Sequence, residues 1–116
     1  MDEVEIRAVN RHVRMSPQKV RLVVDQVRGK GVDEALTMLK FMPQAAAKPL
    51  YKTIRSAVAN AEENEGLDRE YLYIARITAD GGPTRRWRRF GARGRFKPIR
   101  KRSTHITVVL REREVE

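Results

Sequence analysis

The apolar positions of this chain repeat with a period of two near both ends and with the period of a helix in between. Near the N-terminus, Val4, Ile6 and Ala8 alternate with charged residues, which predicts a half-buried strand over about residues 3–11. Three later stretches place apolar residues three or four positions apart, the spacing of one helix face. We therefore expect one strand followed by three helices.

Specific residues bound the predicted helices. Ser16-Pro17 opens the first, because Ser accepts hydrogen bonds from free amides and Pro at the first helical position loses no bond. Gly29 follows its last apolar position, where helices often stop. The second helix is predicted over about 33–41 and the third over about 45–64. The predicted buried positions are Val20, Val23, Val24 and Val27, then Ala35, Leu36, Leu39 and Met42, then Leu50, Ile54, Ala57, Val58 and Ala61.

Two further strands are predicted, over about 71–79 and 104–112. In the earlier strand, the alternation places Tyr71, Tyr73, Ala75, Ile77 and Ala79 on one face, and Leu72, Ile74, Arg76 and Thr78 on the other. In the later strand, it places Ile106, Val108 and Leu110 on one face, and Thr107, Val109 and Arg111 on the other. This order of elements predicts an α+β fold, a small antiparallel three-stranded sheet packed with three helices. A length of 116 residues fits one domain, 1–116.

The formal net charge of +10 lies in one segment, residues 84–102. This basic segment holds ten Lys and Arg residues and no acid, while the rest of the chain has fifteen of each sign. Because ten like charges repel one another in a compact protein, they predict a polyanionic partner. Nucleic acid is favoured, since Arg pairs with phosphate and each neutralised phosphate releases a counterion. The ten are Arg85, Arg86, Arg88, Arg89, Arg93, Arg95, Lys97, Arg100, Lys101 and Arg102.

The basic segment separates the last two predicted strands. A loop of that length without structure is uncommon in a compact domain, so we predict that residues 80–104 form a long, extended β-hairpin that protrudes as an arm. Asp80-Gly81-Gly82-Pro83 would bend its root, and Gly91 and Gly94 would allow the turn at its tip. An isolated, self-repelling ribbon is marginal in water, so the arm should become ordered when phosphates neutralise it. The alternative is a disordered basic loop that binds polyanions without specificity.

Basic residues also cluster near the first helix. Seven of them lie between Arg7 and Lys30, with the single acid Asp25, and the helix start at Ser16 adds free backbone amides that suit a phosphate. His12 lies among these arginines and is expected to contact RNA or cap a turn. The alternative for each residue is a solvated helix face. This N-terminal basic cluster, which we predict to bind nucleic acid, comprises Arg7, Arg11, His12, Arg14, Ser16, Lys19, Arg21, Arg28 and Lys30.

The chain lacks the residues that disulfides, metal sites and catalytic sites require. The chain has no Cys, which excludes disulfides, thiolate zinc sites and cysteine nucleophiles. His12 and His105 are the two histidines, and no pair of acids has a spacing that requires a metal. We therefore expect no catalytic residue, metal or cofactor. No apolar run approaches the roughly 18 residues of a membrane span, and the acidic start lacks a signal peptide's apolar region, so a cytoplasmic protein is expected.

Two other functions are compatible with this basic composition. Some architectural DNA-binding proteins extend basic β-ribbon arms into the minor groove, and this is the stronger alternative. A nuclease would also use a basic surface, but the catalytic groups are missing.

Three motifs resemble the family of large-subunit ribosomal protein twenty-two. Residues 14–30, RMSPQKVRLVVDQVRGK, resemble its first-helix motif, and 92–95 followed by 105–108 resemble its C-terminal signature. The Ser, Ala and Asn residues within 56–64 fit its long helix, and residues 82–83 fit the root of its hairpin. The likeness runs along nearly the whole chain without an obvious gap.

The resemblance implies a structural constituent of the large ribosomal subunit in the cytoplasm, not an enzyme. It implies binding to 23S-type rRNA through the two basic regions, a part in early subunit assembly, and no membrane or homo-oligomer. The arm would line the exit tunnel, contacting the passing nascent polypeptide near a constriction shared with large-subunit protein four. Its tunnel-lining tip would comprise Arg88, Arg89, Phe90, Gly91, Ala92, Arg93, Gly94 and Arg95.

Overall fold

The elements follow one another in the order of an α+β fold, as predicted. A computed structural model describes residues 5–81, 85–90, 96–101 and 103–113. Its elements are β1 (Glu5–Val13), α1 (Pro17–Val27), α2 (Val32–Lys40), α3 (Ala47–Glu65), a short 3-10 helix (Arg69–Tyr71), β2 (Leu72–Gly81), β3 (Arg85–Phe90), β4 (Phe96–Lys101) and β5 (Thr104–Glu112).

Strands β1, β5 and β2 form a three-stranded antiparallel sheet with β5 in the centre. The three helices and one face of this sheet enclose a single apolar core. All the helix positions predicted to be buried are buried, except Met42, which lies past the end of α2 and is partly buried against the core. The apolar pattern therefore predicted the three helices and the faces they bury.

The first helix begins and ends where the sequence predicted. Ser16 occupies the N-cap position with extended backbone angles, and Pro17 is the first helical residue. The Ser16 side chain makes no capping hydrogen bond, so that part of the prediction is wrong. Because Pro17 has no amide, the first turn of α1 has one donor fewer to satisfy. Gly29 has a φ of +80°, which suits Gly, and its amide donates to the Ile74 carbonyl at 3.1 Å.

The predicted alternation along β2 is wrong in its second half. It placed Leu72 and Ile74 on one face and Ile77 and Ala79 on the other, yet all four side chains are buried in the core. The inward and outward positions must therefore exchange between Ile74 and Ile77. In an unbroken strand, two residues three positions apart point to opposite faces.

A β-bulge at Ala75 causes this exchange. Ile74 pairs with Leu110 and Arg76 pairs with the next residue of β5, Val109, so Ala75 is an extra residue on β2. A single inserted residue reverses the alternation that follows it. As a result, Arg76 lies opposite Val109 on the face of the sheet away from the core.

Strands β3 and β4 form a second, two-stranded antiparallel sheet. Its register runs from Arg85 opposite Lys101 to Phe90 opposite Phe96. β2 leads into β3 and β4 leads into β5, and these connections follow the last pair of the larger sheet, Gly81 with Thr104. The molecule measures 70 × 28 × 20 Å. Its radius of gyration is 17.6 Å, against about 13 Å for a compact chain of this length.

Candidate nucleic-acid interface

The start of α1 lies against the point where β2 and β5 lead into β3 and β4. The Pro17 Cγ atom lies 3.9 Å from the position that a Cβ would occupy on Gly81. The buried Thr104 hydroxyl donates to the Met15 carbonyl at 2.6 Å, which holds the link before α1 against the start of β5. The fold thus places the start of α1 beside Gly81 and Thr104, the residues of the larger sheet that precede and follow the basic segment.

Two cations at the start of α1 are directed to solvent. Arg14 and Lys19 are exposed, and neither forms an ion pair within the part of the chain that the structure describes. The Gln18 and Lys19 amides belong to the first helical turn, whose amides have no partner within a helix. Amides and cations at a helix N-terminus together attract phosphate.

Arg21 and Arg28, on the outer face of α1, bind the chain itself. The Arg21 Nε atom donates to the Ala79 carbonyl at 2.9 Å. Arg28 donates to the Ile77 carbonyl at 3.1 Å and pairs with Asp25 at 3.1 Å. Both carbonyls belong to β2, an edge strand, and the arginines cover part of that edge.

The remaining members of the N-terminal basic cluster are placed differently. Lys30 pairs with Glu34 at 3.5 Å, one turn further along the chain. Arg7 and Arg11 are exposed on β1, and Ser16 is half-buried. The His12 side chain lies outside the described part of the chain. The cluster therefore divides into residues open to a ligand and residues with a partner in the fold.

Like charges face one another along the β3–β4 ladder. Arg85 pairs with Lys101, Arg86 with Arg100 and Arg89 with Lys97 in the backbone register. Like charges directly opposite each other on paired strands are destabilising, so neutralisation by an anion should stabilise this ladder. The side chains of these two strands are outside the described residues, as are residues 91–95, which include Arg93 and Arg95 at the predicted tip, and Arg102.

Asp and Glu side chains on the larger sheet and on the helices form ion pairs with Arg side chains outside the basic segment. Asp33 accepts from Arg69, with 2.7 Å between the charged atoms, and Glu5 on β1 accepts from the Arg111 Nε atom at 2.9 Å. The pairs are partly exposed, so each contributes little stability.

Among residues 5–81 and 103–113, no three His, Asp or Glu side chains come together as metal ligands. None of the described helices is both long enough and apolar enough to cross a membrane. His105 lies on β5 in register with Asp80 and is half-buried, in keeping with the position at a strand start that its sequence predicted.

Comparisons with known proteins test the resemblance. The family model described as ribosomal protein L22p/L17e matches residues 8–111. Large ribosomal subunit protein uL22 from Thermoanaerobacter sp. (strain X514) is 50% identical over 111 residues, which cover 96% of this chain and all of the relative. The protein of the same name from Synechococcus sp. (strain JA-3-3Ab) is 54% identical, over 97% of this chain and 91% of the relative. The one from Microcystis aeruginosa (strain NIES-843 / IAM M-2473) is 53% identical, over 91% of this chain and 89% of the relative. The chain therefore belongs to the ribosomal protein L22p/L17e family, whose members are structural proteins and not enzymes.

Proposed function

We propose that this chain is a cytoplasmic structural constituent of the large ribosomal subunit that binds 23S-type rRNA and aids early assembly. Its family membership supports the ribosomal role. The observation that carries RNA binding is the close approach of Pro17, at the start of α1, to the position that a Cβ would occupy on Gly81, at the end of β2. This proximity would bring the N-terminal basic cluster next to the root of the basic segment, and together the two would bind phosphates from more than one RNA segment.

We further propose that residues 1–116 act as a single domain with 80–104 as its protruding arm. The chain outside the basic segment has equal numbers of acids and bases, so it needs no polyanion to fold. The β3–β4 ladder does need one, because its register opposes cation to cation. RNA binding and ordering of the arm are then one coupled step, which suits a protein that joins the subunit while the RNA is still compacting.

The bound arm would place its tip, residues 88–95, in the wall of the exit tunnel. A two-stranded ribbon is thin, about 5 Å between strand axes, and can pass between RNA helices that would exclude a globular domain. There the tip would meet large-subunit protein four and the passing nascent polypeptide. One copy of the chain, with no membrane and no cofactor, is sufficient for this role.

Competition binding tests RNA recognition. The chain is added at about 150 mM KCl to labelled large-subunit rRNA, and unlabelled rRNA or duplex DNA of equal phosphate content is titrated in. We expect rRNA to compete at least tenfold better. A preference for duplex DNA, with bending of it, would instead favour the architectural DNA-binding alternative.

Cross-linking tests the placement of the tip. Since the chain has no Cys, Ala92→Cys can carry a single short cross-linker into reconstituted large subunits. We expect cross-links to protein four or to a nascent chain. Ser56→Cys, at an exposed position on α3, is the matched control and should give neither. Equal yields from both variants would reject the tunnel placement.

A further inference from the structure

One face of the three-stranded sheet is not covered by the helices. Ile6, Ile74 and Ile106 point into the core that the helices share, whereas Val109, although only 9% exposed, is not part of that core. Antiparallel sheets commonly leave one face to solvent. We call the side of the sheet away from the helices the open face. The register places on it Glu5, Arg7 and Val9 from β1, His105, Thr107, Val109 and Arg111 from β5, and Tyr73, Arg76, Thr78 and Asp80 from β2. Arg11 follows two positions after Val9, where the register between β1 and β5 shifts.

Arginines flank the centre of this open face. Arg7 and Arg76 both pair in register with Val109, one from each side. Strands lie about 4.8 Å apart, so the two backbone positions are roughly 10 Å apart. Arg11 is exposed further along β1. None of the three forms an ion pair with another described residue.

The acids of the open face do not balance these arginines. Glu5 is paired with Arg111. Asp80 lies at the opposite end, in register with His105 and next to the arm. A face that is merely solvated usually mixes both signs along its length. Here the side carrying Arg7 and Arg76 keeps an excess of positive charge.

The remaining residues indicate which part of a nucleic acid would fit. Thr107 and Thr78 lie in the row next to the arginines and offer small hydroxyl donors. Of the two aromatic rings on the open face, Tyr73 has the Arg113 guanidinium 5.3 Å from its ring centre, and His105 is half-buried. A surface that reads unpaired bases needs free aromatic rings for stacking. The open face instead suits the sugar–phosphate backbone.

We propose that the open face is an additional RNA-binding surface, on which Arg7, Arg11 and Arg76 bind phosphates of an rRNA segment. This inference rests on the proposed function, and it adds an RNA contact at Arg76, a residue that no sequence pattern indicated. The surface is continuous with the arm, because β2 and β5 lead into β3 and β4. Phosphate contacts of this kind fix the position of an RNA without reading its sequence.

The test measures the salt dependence of binding to large-subunit rRNA. The full-length variant Arg7→Gln/Arg11→Gln/Arg76→Gln loses three proposed phosphate contacts. Each phosphate contact contributes about 0.7 to the slope of log affinity against log salt concentration. This slope should therefore become shallower by about 2, and the Kd at about 0.1 M KCl should rise roughly 100-fold.

The matched control removes three exposed cations from the helices. Lys40→Gln/Lys52→Gln/Arg55→Gln changes the net charge by the same amount, at positions away from the open face. We expect its salt slope to change by less than 1. Equal effects in the two triple variants would overturn the proposal, since they would show a response to net charge only.

A cross-linking experiment tests the open-face proposal even if the triple variant folds poorly. Single-cysteine variants Arg76→Cys and Lys52→Cys carry a photoactivatable cross-linker and are bound to the same rRNA. We expect cross-links to a defined RNA segment from position 76 and not from position 52. Absence of a cross-link from position 76, with rRNA still bound, overturns the open-face proposal alone. Failure of the unmodified chain to prefer rRNA over duplex DNA overturns the proposed function as well.

Discussion

Val23 and Leu22 are neighbours on α1 with opposite surroundings. Val23 is 1% exposed in the core, and Leu22 is 66% exposed. We expect Val23→Asp to unfold the protein, because it buries an unpaired charge. Leu22→Asp should change the free energy of unfolding by less than about 0.5 kcal/mol. Urea denaturation followed by circular dichroism measures both. Similar losses would show that the buried face of α1 has been placed wrongly.

Arg21 should stabilise the fold through its bond to the Ala79 carbonyl. Arg21→Met removes this bond and should lower the free energy of unfolding by about 1 kcal/mol. Arg55→Met is the control, since Arg55 is exposed on α3 and has no ion pair among the described residues. If both variants are equally stable, the bond contributes nothing and Arg21 is free for RNA.

Val23 and Arg21 show which properties a sequence pattern can predict. The periodicity of α1 correctly predicted that Val23 is buried, because burial along a helix follows from spacing alone. The same stretch of sequence led us to predict that Arg21, in the N-terminal basic cluster, binds nucleic acid or lies on a solvated helix face. Its partner, Ala79, is 58 residues away, so the bond depends on how the helix packs against the sheet. Periodicity does not contain that information.

The bulge in β2 leads to a prediction about this strand as a whole. Deleting Ala75 removes the extra residue and leaves Leu72, Ile74, Ile77 and Ala79 at alternating positions. We expect the variant to fold, with a midpoint of thermal unfolding within a few degrees of the original. The measurement is a thermal melt, with NMR spectra to confirm native packing.

Deleting Thr78 is the matched control for this variant. It also shortens β2 by one residue, but it reverses the alternation beyond Ile77 and would turn Asp80 toward the core. We expect this variant to be strongly destabilised. If the Ala75 deletion unfolds the protein and the Thr78 deletion does not, the bulge has been located wrongly.

The bulge was the main feature of the sheet that the alternation missed, although a signal was present. Ile74 and Ile77 are three positions apart, which a regular strand cannot place on one face. The polar residues at the next alternate positions after Ile74, Arg76 and Thr78, still fitted a simple alternation when counted from Leu72. β5, whose Ile106, Val108 and Leu110 alternate without interruption, was predicted correctly.

At the scale of the whole molecule, the charge distribution and the strand topology both indicate a cationic arm on a charge-balanced body. The sequence alone showed that the net charge lies in residues 84–102 and that two strands flank them. It could not show that the start of α1 meets the end of β2, because that contact arises from packing between distant segments. Nor could it show the open face, since Arg7 and Arg76 become neighbours of Val109 only through the register of three strands.

Removing the basic segment tests the central claim most directly, namely that a charge-balanced body folds alone and a cationic arm binds RNA. In the variant lacking residues 85–102, Gly81 and Thr104 remain paired ends joined by a short loop. We expect cooperative thermal unfolding to be retained. If about five arm residues contact phosphate, the log–log salt slope for large-subunit rRNA should be shallower by roughly 3.5. An unfolded variant, or a folded variant with an unchanged slope, would contradict the account.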